Sequence, residues 1–288
     1  MAAAATTETG ARPSRAGRRP SLPGWAGTVP FFAYVTVFLL WPTAIVVVDA
    51  LKNPNGSWAF GNLAKLGDPL VRGYFIGSFK LCLLSSVFGA VFGAILAYAV
   101  ASGNPDGLIR RLYIAISGVL AQFGGVTLAF AFLVLIGPVG LLFHASWFYS
   151  FPWGITVIYT YFQIPLMVLV FLPAIDGVRV QWREASENLG ASAWQYWRYV
   201  GGPLLAPAFL GGTLLLFANA LSAFATIEAW ENQIAYIVPQ QISTALSSEV
   251  GLSSVNVADL LALGMVVMMA VVMTGYALLQ RRAARWLR

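Results

Sequence analysis

Few side chains in this sequence could do chemistry, and their types suit binding better than bond-making. Glu184, Ala185, Gly190 and Ala191 stand close together in the polar segment 176–203, with Trp194, Tyr196 and Trp197 just beyond. Glu184 offers a charge to a basic groove on a partner, the alanines permit close approach, and Gly190 takes backbone conformations closed to other residues. The aromatics supply apolar anchoring at a membrane interface or against neighbouring helix ends. Thr156, Tyr159, Thr160 and Gln163 fall at i, i+3, i+4 and i+7, and Asn219, Ser222 and Thr226 follow similar spacing. Each set defines a polar stripe on one helical face. Such stripes on spanning helices either line a pathway or hydrogen-bond to neighbouring helices. Glu228, Glu231, Glu249 and Asp259 have no Lys or Arg between them, and Trp230 and Tyr236 are close by. They form either an ordinary solvated loop or an outer vestibule that favours cations, amines included, through charge and cation–π contact.

Catalysis has little to build on. His144 is the only histidine and Cys82 the only cysteine, so neither a catalytic triad nor a zinc site can be assembled. Cys82 lies in an apolar run and reads as a small buried residue. None of the three lysines, Lys52, Lys65 and Lys80, follows a glycine, so the chain holds no G-x-x-x-x-G-K-[ST] phosphate loop. The sequence does not describe an enzyme.

The elements that must position these residues are membrane helices. Only 10% of the 288 residues are charged, against about 25% in a soluble domain. A spanning helix needs about 20 apolar residues. Six stretches qualify, 28–50, 74–102, 112–137, 151–175, 204–229 and 257–280. If the N-terminus is cytoplasmic, the inner segments hold Arg12, Arg15, Arg18, Arg19, Arg110, Arg111, Arg179, Arg183, Arg198, Arg281, Arg282, Arg285 and Arg288. The outer ones hold only Lys52, Lys65 and Arg72, and this asymmetry places both termini inside. Lys80 is expected near the outer end of its helix, snorkelling to the interface. The net charge of +6 is spread between and beyond the apolar runs, so no nucleic-acid partner is expected. Residues 1–27 lack apolar periodicity and read as a disordered, retained cytoplasmic tail. Residues 28–282 form the transmembrane domain and 283–288 a cytoplasmic C-terminal tail.

The segment 176–203 is too long and too patterned for a connector; it reads as a helix, a glycine turn and a second helix. It resembles the EAA motif of ABC importer permeases, E-A-A, three residues, G, nine residues, I-x-L-P. Here the motif runs Glu184-Ala185-Ser186, then Gly190, then Val200-Gly201-Gly202-Pro203. Gly202 stands in the leucine position and is expected to loosen the entry to the fifth helix. The run 74–101, the turn Gly137-Pro138-Val139-Gly140 and the stretch Leu189-Gly190-Ala191-Ser192 are similar to permeases of the spermidine/putrescine type.

The resemblance implies an all-α type I ABC importer permease fold of about six transmembrane helices in a bacterial cytoplasmic (inner) membrane. It assigns Glu184, Ala185, Ser186, Gly190, Val200 and Pro203 to coupling with a separate ATPase. The partners implied are two ATP-binding subunits, a second, homologous permease subunit, membrane lipid and an extracytoplasmic substrate-binding protein. No cofactor belongs to this chain; ATP and Mg sit on the ATPase. The solute implied is small and polar, such as a polyamine, with iron(III), thiamine or a phosphonate as alternatives. A secondary transporter or channel would show two inverted halves, which the sequence does not, and would leave the 184–203 spacing without a purpose.

Overall fold

A computed structural model describes residues 27–53, 55–136, 141, 152–230, 237–247 and 252–284, without the side chains of 252–256 and 282–284. The expected tails, save Gly27 and the backbone of 283–284, and the turn at 137–140 lie outside the described residues, as do His144, Glu231, Tyr236 and Glu249. The chain divides into two compact units, Met1–Ile45 and Val46–Arg288. In the first, α1 (Val29–Val35) runs through a π turn (Thr36–Leu40) into the start of α2 (Trp41–Ala50). The stretch Val29–Ala50 is long and apolar enough to cross a membrane.

The second unit is built around α3 (Pro69–Ala101), a helix of 33 residues, about 50 Å at 1.5 Å per residue. Asp68 starts it by accepting a hydrogen bond from the Leu70 amide at 2.9 Å, with Pro69 in the first helical position. One face of α3 is a stripe of small residues, Gly77, Ser78, Ser85, Ser86, Gly89, Ala90, Gly93 and Ala97, all buried. That face packs against α6 (Trp153–Asp176) and α9 (Gly202–Ser222). Lipid tails offer no hydrophobic drive for helix pairing, so close backbone approach over small residues provides it. The fit leaves no room. A Cβ on Gly89 would lie 2.6 Å from the Gln163 Cβ, and one on Gly93 would lie 2.5 Å from the Met167 Cβ and 2.8 Å from the Ile164 carbonyl oxygen.

Further helices close around this pair. α4 (Leu108–Gln122) packs on α6, and α12 (Leu252–Ala284) packs on α9 and on α11 (Val238–Ser247). One apolar cluster gathers Leu81, Phe162, Phe217, Leu221 and Trp230, and another gathers Ala97, Met167, Phe171, Leu205 and Leu216. Arg110, at the start of α4, forms an ion pair with Asp176 at the end of α6.

Three spans differ from their sequence expectation. The second begins at Pro69 rather than 74, because the Asp68–Pro69 start lies beyond the apolar run; Lys80 therefore sits a full three turns into α3, exposed. The third is a pair of helices, α4 and α5 (Val126–Ile136), bent by 96° at a break of residues 123–125. The fifth starts early and stops early: a helical stretch runs Ala193–Ser222, breaks at Ala223 and resumes as the short α10 (Phe224–Glu228). Either the bent pair counts as one span, giving six, or the described residues hold five.

The two breaks share a conformation, Phe123 at φ −82°, ψ 71° and Ala223 at φ −81°, ψ 61°. Both lie in the inverse γ-turn region. The Gly124 amide duly donates to the Gln122 carbonyl at 3.0 Å. Breaks at membrane depth require other partners for the freed backbone groups. The Tyr159 hydroxyl of α6 donates to the Ala223 carbonyl, and the Thr226 hydroxyl accepts from the Gly125 amide at 3.0 Å.

Two outcomes are expected. Gly93→Ala forces α3 from α6 and costs about 1–3 kcal/mol, lowering the thermal midpoint of the detergent-solubilised protein, whereas Gly118→Ala, with open space at its Cβ, leaves it unchanged or raises it. Equal midpoints for the two variants would contradict the close approach. Tyr159→Phe and Thr226→Val each remove one bond at a break, and each lowers stability by about 0.6–1.7 kcal/mol. A Tyr159→Phe protein as stable as its parent would show that the Ala223 carbonyl does not depend on this hydroxyl.

Candidate functional site

The 176–203 segment folds into a capped hairpin of helices. α7 (Val180–Asn188) ends in a Schellman arrangement: the Ala191 amide donates to the Ser186 carbonyl at 3.0 Å and the Gly190 amide to the Glu187 carbonyl at 2.9 Å. Gly190 holds φ +76° there, with nothing within 4 Å of a would-be Cβ. The left-handed conformation therefore demands glycine, and no contact within this chain does. Ser192 then caps α8 (Ala193–Tyr196) in a reciprocal box, its amide donating to Gln195 Oε1 at 2.7 Å and its Oγ accepting from the Gln195 amide at 3.3 Å. A π turn (Trp197–Gly201) carries α8 into α9.

Gly202 does not loosen this entry. In the wider π turn a Cβ at Gly202 would collide with the Trp197 carbonyl oxygen, and one at Gly201 would lie 3.1 Å from the rings of Tyr196 and Trp197. The departure from leucine is what the tight turn requires.

The hairpin presents a mixed surface. Glu184 and Ala185 are exposed, and Glu184 has no ion-pair partner among the described residues. Leu189 is 88% exposed and Trp194 72%. Ser186 is 8% exposed and donates to the Arg183 carbonyl at 2.7 Å, a bond within α7, so its hydroxyl is turned to its own helix rather than outward. Tyr196 is buried, Trp197 packs edge-on to Tyr98 of α3 with centroids 5.2 Å apart, Val200 is half-buried and Pro203 is exposed. Arg183 and Glu187 pair at 2.9 Å. The hydrogen bond to Glu187 raises the Arg183 pKa above its ordinary value. Both side chains are exposed, so the pair adds little stability. Leu189 and the Ser192–Gln195 box are the residues that spacing did not single out. Their signals were an apolar residue beside a turn glycine and the S-x-x-Q pattern.

The polar stripes go to the backbone. Thr156 and Gln163 are buried and Thr160 half-buried; the two threonine hydroxyls donate to carbonyls one turn back, Pro152 and Thr156, both at 2.7 Å. Gln163 Nε2 donates to Ser85 Oγ at 3.3 Å, and its Oε1 is buried without a partner among the described residues. Asn219, Ser222 and Thr226 do not share one helical face, because the helix breaks at Ala223. Ser222 is exposed and bonds Asn219, half-buried, while Thr226 is buried at the break. Thr156 and Thr160 border an open groove of about 650 Å³ whose other walls include Phe88, Phe92, Phe132, Trp153 and Tyr161. At the other candidate site, Trp230 is 4% exposed and belongs to the core, so its ring face is closed to a solute. Glu228 is half-buried with Oε2 unpartnered among the described residues.

The fold and its parts have known counterparts. The chain is 27% identical over 220 residues to the sulfate transport system permease protein CysT of Escherichia coli (strain K12), covering 70% of this chain and 74% of that one. It is 28% identical over 153 residues to the molybdenum transport system permease protein ModB of the same organism, covering 51% and 66%. A bacterial alginate ABC transporter, solved in complex with an alginate pentasaccharide-bound periplasmic protein, matches in fold with a TM-score of 0.72 at 18% identity, covering 90% of this chain and 93% of that one. Residues 69–288, which take in the hairpin and every span from α3 onward, match the model of one family. The chain therefore belongs to the binding-protein-dependent transport system inner membrane components, the membrane permeases of ABC importers, and is not an enzyme.

Proposed function

We propose that this permease subunit imports a small oxyanion of the sulfate or molybdate class and couples to a separate ATPase through 184–203, pairing with a second, homologous permease and keeping both termini inside. The observation that carries the coupling is the hairpin. It is stiffened by two capping motifs, turns on a glycine at φ +76°, and exposes Glu184, Leu189 and Trp194 without engaging them in this chain. An exposed apolar pair beside an unpaired charge is the surface of an interface rather than of a free loop.

The substrate class is supported by the sulfate and molybdenum relatives. Lys80 adds to it, an exposed cation on α3 with no ion-pair partner among the described residues. The amine reading drew on Glu228, Glu231, Glu249 and Asp259 with Trp230 and Tyr236; of its two aromatic residues Trp230 is core, and Tyr236 lies outside the described residues. For the pathway, the candidates Thr156, Tyr159, Thr160, Gln163, Asn219, Ser222 and Thr226 stand as proposed, and of these Thr156 and Thr160 border the open groove.

The substrate is read by reconstituting the full transporter with its binding protein in liposomes. Labelled sulfate or molybdate should accumulate only with ATP inside, and spermidine and thiamine should not. Spermidine uptake without oxyanion uptake would overturn the assignment. Coupling is read in the same preparation. Gly190→Asp inserts normally, adds backbone strain of about 1–2 kcal/mol and obstructs the docked face, so uptake is lost and the ATPase dissociates on purification. Glu184→Ala weakens ATPase retention by about 2–5 kcal/mol if its charge pair is desolvated, and by at most about 1 kcal/mol if the pair is exposed. Wild-type uptake with the ATPase bound in both variants would remove 184–203 from the coupling role.

A further inference from the structure

The ends of α3, α6 and α9 nearest the hairpin frame a cleft with two adjoining parts. One part, about 380 Å³, is walled by Ala94, Ile95, Phe171, Ala206 and Phe209, and is apolar. The other, about 360 Å³, is walled by Arg179, Val180, Arg183, Glu187 and Ser192. Tyr98, Ile175, Trp197 and Leu205 border both, so the two lie side by side. The apolar part belongs to the last turns of α3 and α6 and the first turns of α9, the ends of three spanning helices, where acyl chains are within reach. The polar part lies at the level where the Tyr98 and Trp197 rings mark an interface.

The charges in the polar part favour an anion. Arg179 has no ion-pair partner among the described residues. Arg183 gives its Nε–H to Glu187, one of the five N–H donors a guanidinium carries. Glu187 is the opposing charge, so the three groups together leave one positive charge in excess. The first turn of the nine-residue α7 also opens here, and Arg179, its N-cap, makes no side-chain cap. The leading backbone amides are therefore further donors for an anion.

A soluble anion has no use for the apolar part, and a neutral apolar molecule has no use for two arginines. An apolar helix of another subunit, about 10–12 Å wide, would leave the excess positive charge of the polar part unanswered. We propose that this cleft holds one anionic phospholipid, with an acyl chain between α3, α6 and α9 and its phosphate on Arg179 and Arg183. Basic pockets between spanning helices bind such headgroups through the same combination of charge and interfacial depth. The bound lipid bridges the base of α7 to the ends of the spanning helices.

Native mass spectrometry of the full-length permease, extracted from nanodiscs of mixed phosphatidylglycerol and phosphatidylethanolamine, reads the occupancy. One retained phosphatidylglycerol is expected per chain. Arg179→Ala should weaken its retention about fivefold, the weight of one basic side chain near an anionic surface, and Arg179→Lys should restore it. Ala206→Trp, which fills the apolar part, should abolish it, and Arg72→Ala, at the far end of α3, should not change it. Retention of phosphatidylethanolamine equal to phosphatidylglycerol, or an unchanged Arg179→Ala, would overturn the proposal. Displacement of the lipid by millimolar inorganic phosphate would show a soluble-anion site instead. Loss of the lipid on assembly with the ATPase and second permease would show that a protein occupies the cleft, and would overturn the proposal equally.

Discussion

A backbone that leaves its helix inside a bilayer has no water to bond to, and each unsatisfied group there costs several kcal/mol. Among the described residues, two such breaks lie at Phe123–Gly125 and at Ala223. The rest of the second unit is arranged so that those groups find partners. Tyr159 reaches the Ala223 carbonyl only because α6 lies beside α9 at that height. Thr226 reaches the Gly125 amide only because α10 packs on α5. The position of α6 in turn depends on its contact with α3, where Gly89 and Gly93 let the two backbones meet with no space for a methyl group. The small-residue stripe, the tyrosine and the two breaks thus form one dependent set: enlarging a glycine would move α6 and take Tyr159 from its carbonyl.

Much of this was legible in the sequence, and the part that was not has a physical cause. Apolar runs of about 20 residues announce spans because hydrocarbon thickness fixes helix length. Hydropathy is blind to backbone direction, however. The stretch from Leu112 to Gly137 is apolar on both sides of its bend, so a 96° break reads as one span. The pair Gly124-Gly125 was the mark of that bend. The Thr156–Gln163 stripe was read correctly as one face, yet periodicity cannot tell a face that meets a solute from one that meets a carbonyl. Trp230 was placed by its neighbours in sequence, whereas it is buried in a cluster that includes Leu81, Leu128 and Phe162, distant in the chain.

The hairpin was the most legible element because local rules alone determine it. Gly190 at φ +76°, the Schellman bonds and the Ser192–Gln195 box all lie within about a dozen residues, where turn chemistry outweighs tertiary context. Gly202 shows the limit of the same reasoning. Compared with a motif it is a departure that weakens packing. Compared with the π turn it is the one residue that fits, since the turn brings the Trp197 carbonyl under its Cα.

These elements determine where a permease of this build can bend. Residues Ala193–Ser222 form a helical rod of 30 residues, about 45 Å long, from the hairpin to the break at Ala223. Its i to i−4 ladder is interrupted at the π turn Trp197–Gly201 and lacks a donor at Pro207, two kinds of site at which helices bend. At Ala223 the ladder lapses altogether, and the joint is bridged by Tyr159 on the Ala223 carbonyl and by Thr226 on the Gly125 amide. Such bonds are worth about 0.6 kcal/mol on average in a membrane, close to thermal energy. The α3–α6 contact, by comparison, spans two helices in close packing over a whole small-residue face. In the proposed coupling, a displacement applied at the hairpin enters α9 through the π turn, and Ala223, joined through Thr226 to the break at Gly125, is where the helix is already interrupted.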